Sequence, residues 1–183
     1  TFSGHRDCVY TLIKDKQSER FYSAGGDGFV VCWDVRKPDL GALVAKVNGS
    51  IYAIALDEKR QHLWIGHNFE GIQLIDLATK QLISSTKITN ASIFDIQFIG
   101  EDVYIGMGDG VIAVMDREAF AVKKHLKLAD KSVRSIAAHP TLPVIAVGIS
   151  DWSIAIIDRK TNELVKKFQA HDNSVFAVRY SPD

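Results

Sequence analysis

Short apolar runs punctuated by polar stretches cover the whole chain. The first group of four runs falls at 9–13, 21–24, 30–33 and 42–47. The second falls at 51–56, 63–65, 72–75 and 81–87. The third falls at 93–98, 103–105, 112–115 and 122–128, and the fourth at 133–138, 144–147, 154–157 and 164–168. These runs are rich in Val, Ile and aromatic residues and too short for typical helices, so the pattern predicts strands. Polar segments at 15–19, 36–39, 57–60 and 139–143 separate them. Glycine-rich turns at 25–28 and 106–110 join second runs to third runs. No long amphipathic helix is predicted. The inner runs are nearly continuously apolar, as expected of strands buried on both faces between neighbouring sheets.

The runs repeat. A hydrophobic residue followed by Asp closes each third run: Trp33-Asp34, Ile75-Asp76, Met115-Asp116 and Ile157-Asp158, spaced by 42, 40 and 42 residues. A second landmark, Val9, Ile51, Ile93, Val133 and Val175, is spaced by 42, 42, 40 and 42. Two landmarks sharing one period of about 40 indicate a repeat architecture. Four strands per repeat, stacked radially, make a β-propeller blade. The expected fold is therefore all-β, with about four four-stranded blades near 5–47, 48–88, 89–128 and 129–169. A partial blade follows at 170–183. The whole of 1–183 reads as one propeller segment, expected to be a fragment of a larger ring.

Composition narrows the functional classes. Hydrophobic residues make up 46% and charged residues 24%, which excludes a disordered or collagen-like chain. Lys+Arg and Asp+Glu both number 22, so no net charge draws the chain to nucleic acid or an anionic membrane. No apolar run approaches the roughly 18 residues of a spanning helix, and no signal-peptide pattern opens the sequence. Cys8 and Cys32 are too few for a disulfide framework and lack Cys-x-x-Cys spacing; they are expected to be small buried side chains in a reducing compartment. The expected location is cytoplasmic, with the nucleus as the alternative. None of the six histidines stands in metal-ligand spacing, and Gly108-Asp109-Gly110 opens no phosphate loop. No metal and no cofactor are expected.

Gly4-His5, followed by Ser23-Ala24-Gly25-Gly26-Asp27-Gly28-Phe29-Val30-Val31-Cys32-Trp33-Asp34, resembles a full WD (tryptophan–aspartate) repeat. The resemblance extends over the chain at lower strength, and Ala170-His171 restarts it. It implies a structural tetrad of His5, Ser23, Asp27 and Trp33. In it Asp27 accepts from the His5 ring, the ring donates onward to Ser23, and the Ser23 hydroxyl meets the Trp33 indole. Ser, His and Asp also compose a hydrolase triad, but the resemblance places them between strands, with Trp33 where a substrate would have to enter. The later repeats lose the set. Ile65, Phe69 and Ile75 replace it in the second, Ile105 and Met115 stand in the third, and Val147 and Ile157 in the fourth, with Asp109 and Asp151 kept. Thr89 and Ala129 stand where histidines would.

The resemblance further implies a non-catalytic scaffold that binds proteins or peptides on the narrow face and central channel of the ring. Two turn residues are unusual. Trp152 occupies the place of Gly28 and Gly110, and Phe69 the place of Asp27. Large aromatics at turn tips are good interface anchors. With Arg6, Glu70 and Lys131 in a mixed polar rim, they are the candidate partner-binding residues. Arg36 joins them because Trp33-Asp34-Val35-Arg36 is similar to the box of propellers that serve as substrate receptors of cullin-type ubiquitin ligases. That receptor role is the alternative function. A ligand-binding or enzymatic propeller is a further one, requiring polar residues near Tyr10, Tyr52, Phe94, Arg134 and Phe176. The final segment repeats the opening phase, so both ends are expected to cut through blades, with 181–183 in a turn after a first strand. Pairing of two chains into one ring is the corresponding expectation.

Overall fold

The structure is a computed structural model describing residue 2 and residues 4–181. Ser3 of the opening segment and Pro182-Asp183 of the expected closing turn lie outside the described residues. The described residues form sixteen strands in four antiparallel sheets, each built from four strands consecutive in sequence. The first sheet holds β1 (Val9–Lys14), β2 (Arg20–Gly25), β3 (Phe29–Asp34) and β4 (Lys37–Lys46). The second holds β5 (Ile54–Asp57), β6 (His62–His67), β7 (Gly71–Asp76) and β8 (Leu82–Thr86). The third holds β9 (Ile93–Ile99), β10 (Asp102–Met107), β11 (Val111–Asp116) and β12 (Ala121–Lys127). The fourth holds β13 (Val133–Ala138), β14 (Val144–Ile149), β15 (Ser153–Asp158) and β16 (Glu163–Gln169).

The chain divides into two compact units, Thr1–Ile93 and Phe94–Asp183. In the first unit the core joins two sheets: Ala24, Val30 and Val44 meet Ile51, Leu56, Leu63 and Ile65. In the second unit Tyr104, Ile112 and Val114 meet Val133, Ile136, Ile145 and Ile157. The apolar side chains are thus buried between neighbouring sheets, and the second and third strands carry most of the buried residues. Burial falls off outward, and every residue of β16 is exposed.

Three expectations from the sequence are corrected. β1 is not buried on both faces, since Val9, Tyr10 and Leu12 are exposed. Residues 51–53 lie outside the strand, so β5 starts only at Ile54, although the Ile51 amide donates to the Gly25 carbonyl and the Ala53 carbonyl accepts from the Gly66 amide, both at 3.0 Å. Residues 170–181 form no strand, although Val175 and Val178 pack on Ala137 and Ala146. The Val175 amide still donates to the Ile149 carbonyl at 3.2 Å.

The turns between third and fourth strands show how one residue sets local geometry. The closing aspartates accept from backbone amides of the turn: Asp34 from Arg36, Asp76 from Thr79, Asp116 from Glu118 and Ala119, Asp158 from Lys160 and Thr161. In three sheets the fourth residue after that Asp takes a left-handed backbone: Lys80 (φ 60°), Phe120 (φ 52°) and Asn162 (φ 56°). In the first sheet this place is Pro38, whose ring forbids positive φ. The chain instead turns over Val35-Arg36, and Asp34 pairs directly with Lys37. The segment 36–39, expected as a polar separator, therefore belongs mostly to β4. An outer strand tolerates the missing proline N–H.

Gly28 (φ 71°) and Gly110 (φ 80°) occupy matching turns between second and third strands. A Cβ on either would strike a carbonyl oxygen, of Val47 and Ala129 respectively. We expect Gly28→Ala or Gly110→Ala to cost more than about 1 kcal/mol of stability, read as a lowered urea midpoint.

Candidate functional site

His5, Ser23, Asp27 and Trp33 form one hydrogen-bonded chain. The His5 Nδ1 lies 3.0 Å from both Asp27 oxygens, and its Nε2 lies 2.7 Å from Ser23 Oγ. The Trp33 indole N–H donates to Ser23 Oγ at 2.7 Å. A single tautomer satisfies every group. Trp33 donates to Ser23, the Ser23 hydroxyl donates to Nε2, and Nδ1–H donates to Asp27. With Nδ1–H given to Asp27, the neutral ring has Nε2 left only as an acceptor, so in this tautomer the Ser23 hydroxyl donates to the ring. Asp27 also accepts from the Arg6 amide at 2.9 Å and the Phe29 amide at 3.1 Å. Burial pushes the Asp27 carboxyl up, but these amides and the His5 ring outweigh it and hold the carboxyl below its usual range. The Trp33 ring is fixed by Gly4 and Gly41, where an added Cβ would come within 2.9 and 2.7 Å of it. Ser23 is 2% exposed with its oxygen engaged on two sides, so no substrate carbonyl can approach it.

The candidate partner residues stand at turn tips. Phe69 is 60% exposed and Trp152 47% exposed. Both have left-handed backbones, with φ of 67° and 74°. A bulky side chain at positive φ is strained and uncommon. Beneath Phe69, Asn68 is buried and bridges the Ser50 carbonyl and the Ile93 amide at 2.6 and 2.9 Å. The Trp152 carbonyl accepts from the Ala170 and His171 amides. The two tips are held by backbone bonds while their rings stay in solvent. Arg6, Glu70 and Lys131 are exposed. Arg36 is exposed too, but its guanidinium folds back on Asp34, with Nε and Nη2 at 3.1 and 3.0 Å from the two oxygens.

The family described as WD domain, G-beta repeat matches residues 1–34. A chain of the solved structure "Crystal Structure of Mitotic Checkpoint Complex" superposes with a TM-score of 0.79 at 16% sequence identity. The match covers 89% of this chain and 50% of that one, so this chain spans half the length of that match. The fold is a WD-repeat β-propeller fold.

The four sheets are its blades, and only the first carries the full tetrad. In the other WD blades buried apolar residues fill the same places: Ile65 and Ile75, Ile105 and Met115, Val147 and Ile157. Trading a polar network for packed apolar groups of similar volume is energetically tolerated. The retained Asp151 finds a new cation, Lys167 Nζ at 2.7 Å.

The first strands of the blades carry the remaining chemistry. Tyr10 and Tyr52 meet edge-to-face at 4.8 Å in the first unit. In the second unit the Arg134 guanidinium lies 3.9 Å from the Phe94 ring centroid and 5.5 Å from that of Phe176. Sequence reasoning overlooked the residues beside them. Asp95 accepts from the Ile136 amide at 2.7 Å and from Gln97 at 2.8 Å, and burial raises its carboxyl. Ser135 Oγ accepts from the Val178 amide and from Arg179 Nη1, both at 3.2 Å. The signal available in the sequence was a carboxylate inside the apolar run 93–98. The expected burial of the cysteines is corrected: Cys8 is exposed because β1 and its flanking turn face solvent, and Cys32 on β3 is only half-buried. No group of three potential metal ligands occurs among the described residues.

We expect His5→Ala to destabilise the chain by about 2 kcal/mol in urea unfolding, since Asp27 and Ser23 lose a partner at once. Acid should also destabilise it. The Arg36 guanidinium holds the Asp34 carboxyl at about 2, and the Lys123 ammonium does the same for Asp116, against an ordinary value near 3.8. Folded carboxyls with lowered pKa stabilise above the unfolded value and lose that contribution as pH falls through the folded one. The midpoint of thermal unfolding should accordingly drop between about pH 4 and pH 2.

Proposed function

We propose that the chain is a non-catalytic protein-binding scaffold whose partners engage the blade tips through Phe69 and Trp152. One observation carries this reading: two bulky aromatics are kept in solvent on left-handed backbone, Trp152 where Gly28 and Gly110 stand in the matching turns and Phe69 where Asp27 stands. Strain of order 1 kcal/mol per residue is retained where function requires it. An exposed ring on a rigid turn contributes contact area with little conformational entropy left to lose. WD-repeat propellers bind protein partners as a class, and the superposed chain comes from a structure described as a protein complex. Arg6 and Glu70 or Lys131 would form the polar rim around each anchor. No catalytic residue is assigned, because the Ser23-His5-Asp27 set is closed by Trp33.

Trp152→Gly relieves the left-handed strain while removing the ring. We expect it to change stability by less than about 1 kcal/mol in urea unfolding. In quantitative affinity capture from lysate it should lose partners that the unmodified chain retains. Capture of the same partners at the same yield by Trp152→Gly and by Phe69→Gly would refute the assignment.

A further inference from the structure

We propose that a groove between the first two blades, away from the turn tip of Phe69, is a docking site for a short acidic peptide segment. The groove has a volume of about 390 Å³. Its charged wall consists of Arg20 at the start of β2, Lys37 at the start of β4 and Lys80 in the turn between β7 and β8. Its floor is Tyr22, the half-buried Cys32 and Leu77. The one carboxylate in the lining, Asp34, is already gripped on both oxygens by Arg36. The side chains of Arg20 and Lys37 make no ion pair or hydrogen bond among the described residues. Lys80 Nζ uses one hydrogen on the Leu43 carbonyl at 2.9 Å, which fixes the ammonium at the groove edge. Three cations therefore line a groove with no uncompensated carboxylate.

The matching place in the second unit shows what a self-satisfied groove looks like. Asp102 stands opposite Asp116 there, as Arg20 stands opposite Asp34. Lys123 Nζ bridges the two carboxylates at 2.6 and 2.8 Å. The Tyr104 hydroxyl donates to Asn162 Oδ1 at 2.5 Å, and Lys124 Nζ reaches the Asn162 carbonyl at 3.0 Å. In the first unit Arg20 takes the place of Asp102 and Lys80 that of Asn162. The same architecture has exchanged internal charge pairing for an unpaired basic wall.

The occupant follows from both surfaces of the groove. Carboxylates complement Arg20, Lys37 and Lys80, and Arg20 can grip one bidentately. The apolar floor suits one aliphatic side chain. A polyanion such as nucleic acid has no use for that floor, and zero formal charge on the chain supplies no long-range attraction for it.

The test is fluorescence anisotropy on the full chain with a labelled octapeptide of Asp, Glu and two Leu residues. We expect saturable binding that weakens at least tenfold between 50 and about 300 mM salt. Replacing the acids of the probe by Asn and Gln should abolish it. Arg20→Asp and Lys80→Asn, which install the residues of the second unit, should each lower affinity at least about fivefold, with circular dichroism verifying folding. Lys37→Gln, at an exposed position, should do the same where Arg20→Asp does not fold. Phe69→Gly and Trp152→Gly should leave peptide affinity unchanged, which separates this site from the blade tips. Equal binding of the amide peptide, unchanged affinity in Lys80→Asn and Lys37→Gln, or tighter binding of an oligonucleotide displaced by the peptide would overturn the proposal.

Discussion

Burial of apolar side chains between neighbouring sheets is the constraint on which everything else depends. A four-stranded sheet with two apolar faces cannot satisfy them alone. In each unit the second and third strands supply the packing layer: Val30, Leu63 and Ile65 in the first, Ile112, Ile145 and Ile157 in the second, all essentially without solvent contact. This layer explains why the tetrad of the first blade is dispensable in the others. His5, Ser23, Asp27 and Trp33 cross-link the blade by hydrogen bonds. Ile65 with Ile75, or Ile105 with Met115, reach the same end by filling the volume. Both solutions leave no buried polar side chain without a partner among the described residues.

A packed layer of this kind holds the turns in place while leaving them free in composition. The closing aspartates cap one set of turns, and left-handed residues shape both sets. Pro38 cannot take the conformation of Lys80, Phe120 and Asn162, so the first blade makes a tighter turn and a longer outer strand. That tighter turn brings Lys37 and the Asp34–Arg36 pair to the groove. Phe69 and Trp152 exploit the same rigidity at the other set of turns. The scaffold tolerates their strained backbones because the strands on either side are fixed by the core.

Charge follows a similar division. Total charge is zero, but its distribution differs between corresponding places. Asp102, Asp116 and Lys123 neutralise one another in the second unit, whereas Arg20, Lys37 and Lys80 stand beside an Asp34 already claimed by Arg36. Exposed pairs contribute little to stability, so such exchanges are free to serve recognition instead.

The repeat period, the four strands per repeat, the all-β class and the identity of the tetrad were legible in the sequence. Strand periodicity, turn residues and the Trp33-Asp34 landmark are local signals, and each repeat reinforces the others. The exposure of Cys8 and β1 and the lack of a strand over residues 170–181 were not legible. Nor were the Arg134 stack on Phe94 and Phe176, the half-buried Asp95, and the basic groove. Each depends on which side chains of separate strands and blades come face to face. The sequence by itself determined the elements, because backbone pattern is set within a few residues. Only the tertiary structure decided the chemistry between them, because burial and charge pairing are properties of neighbours brought together across dozens of residues.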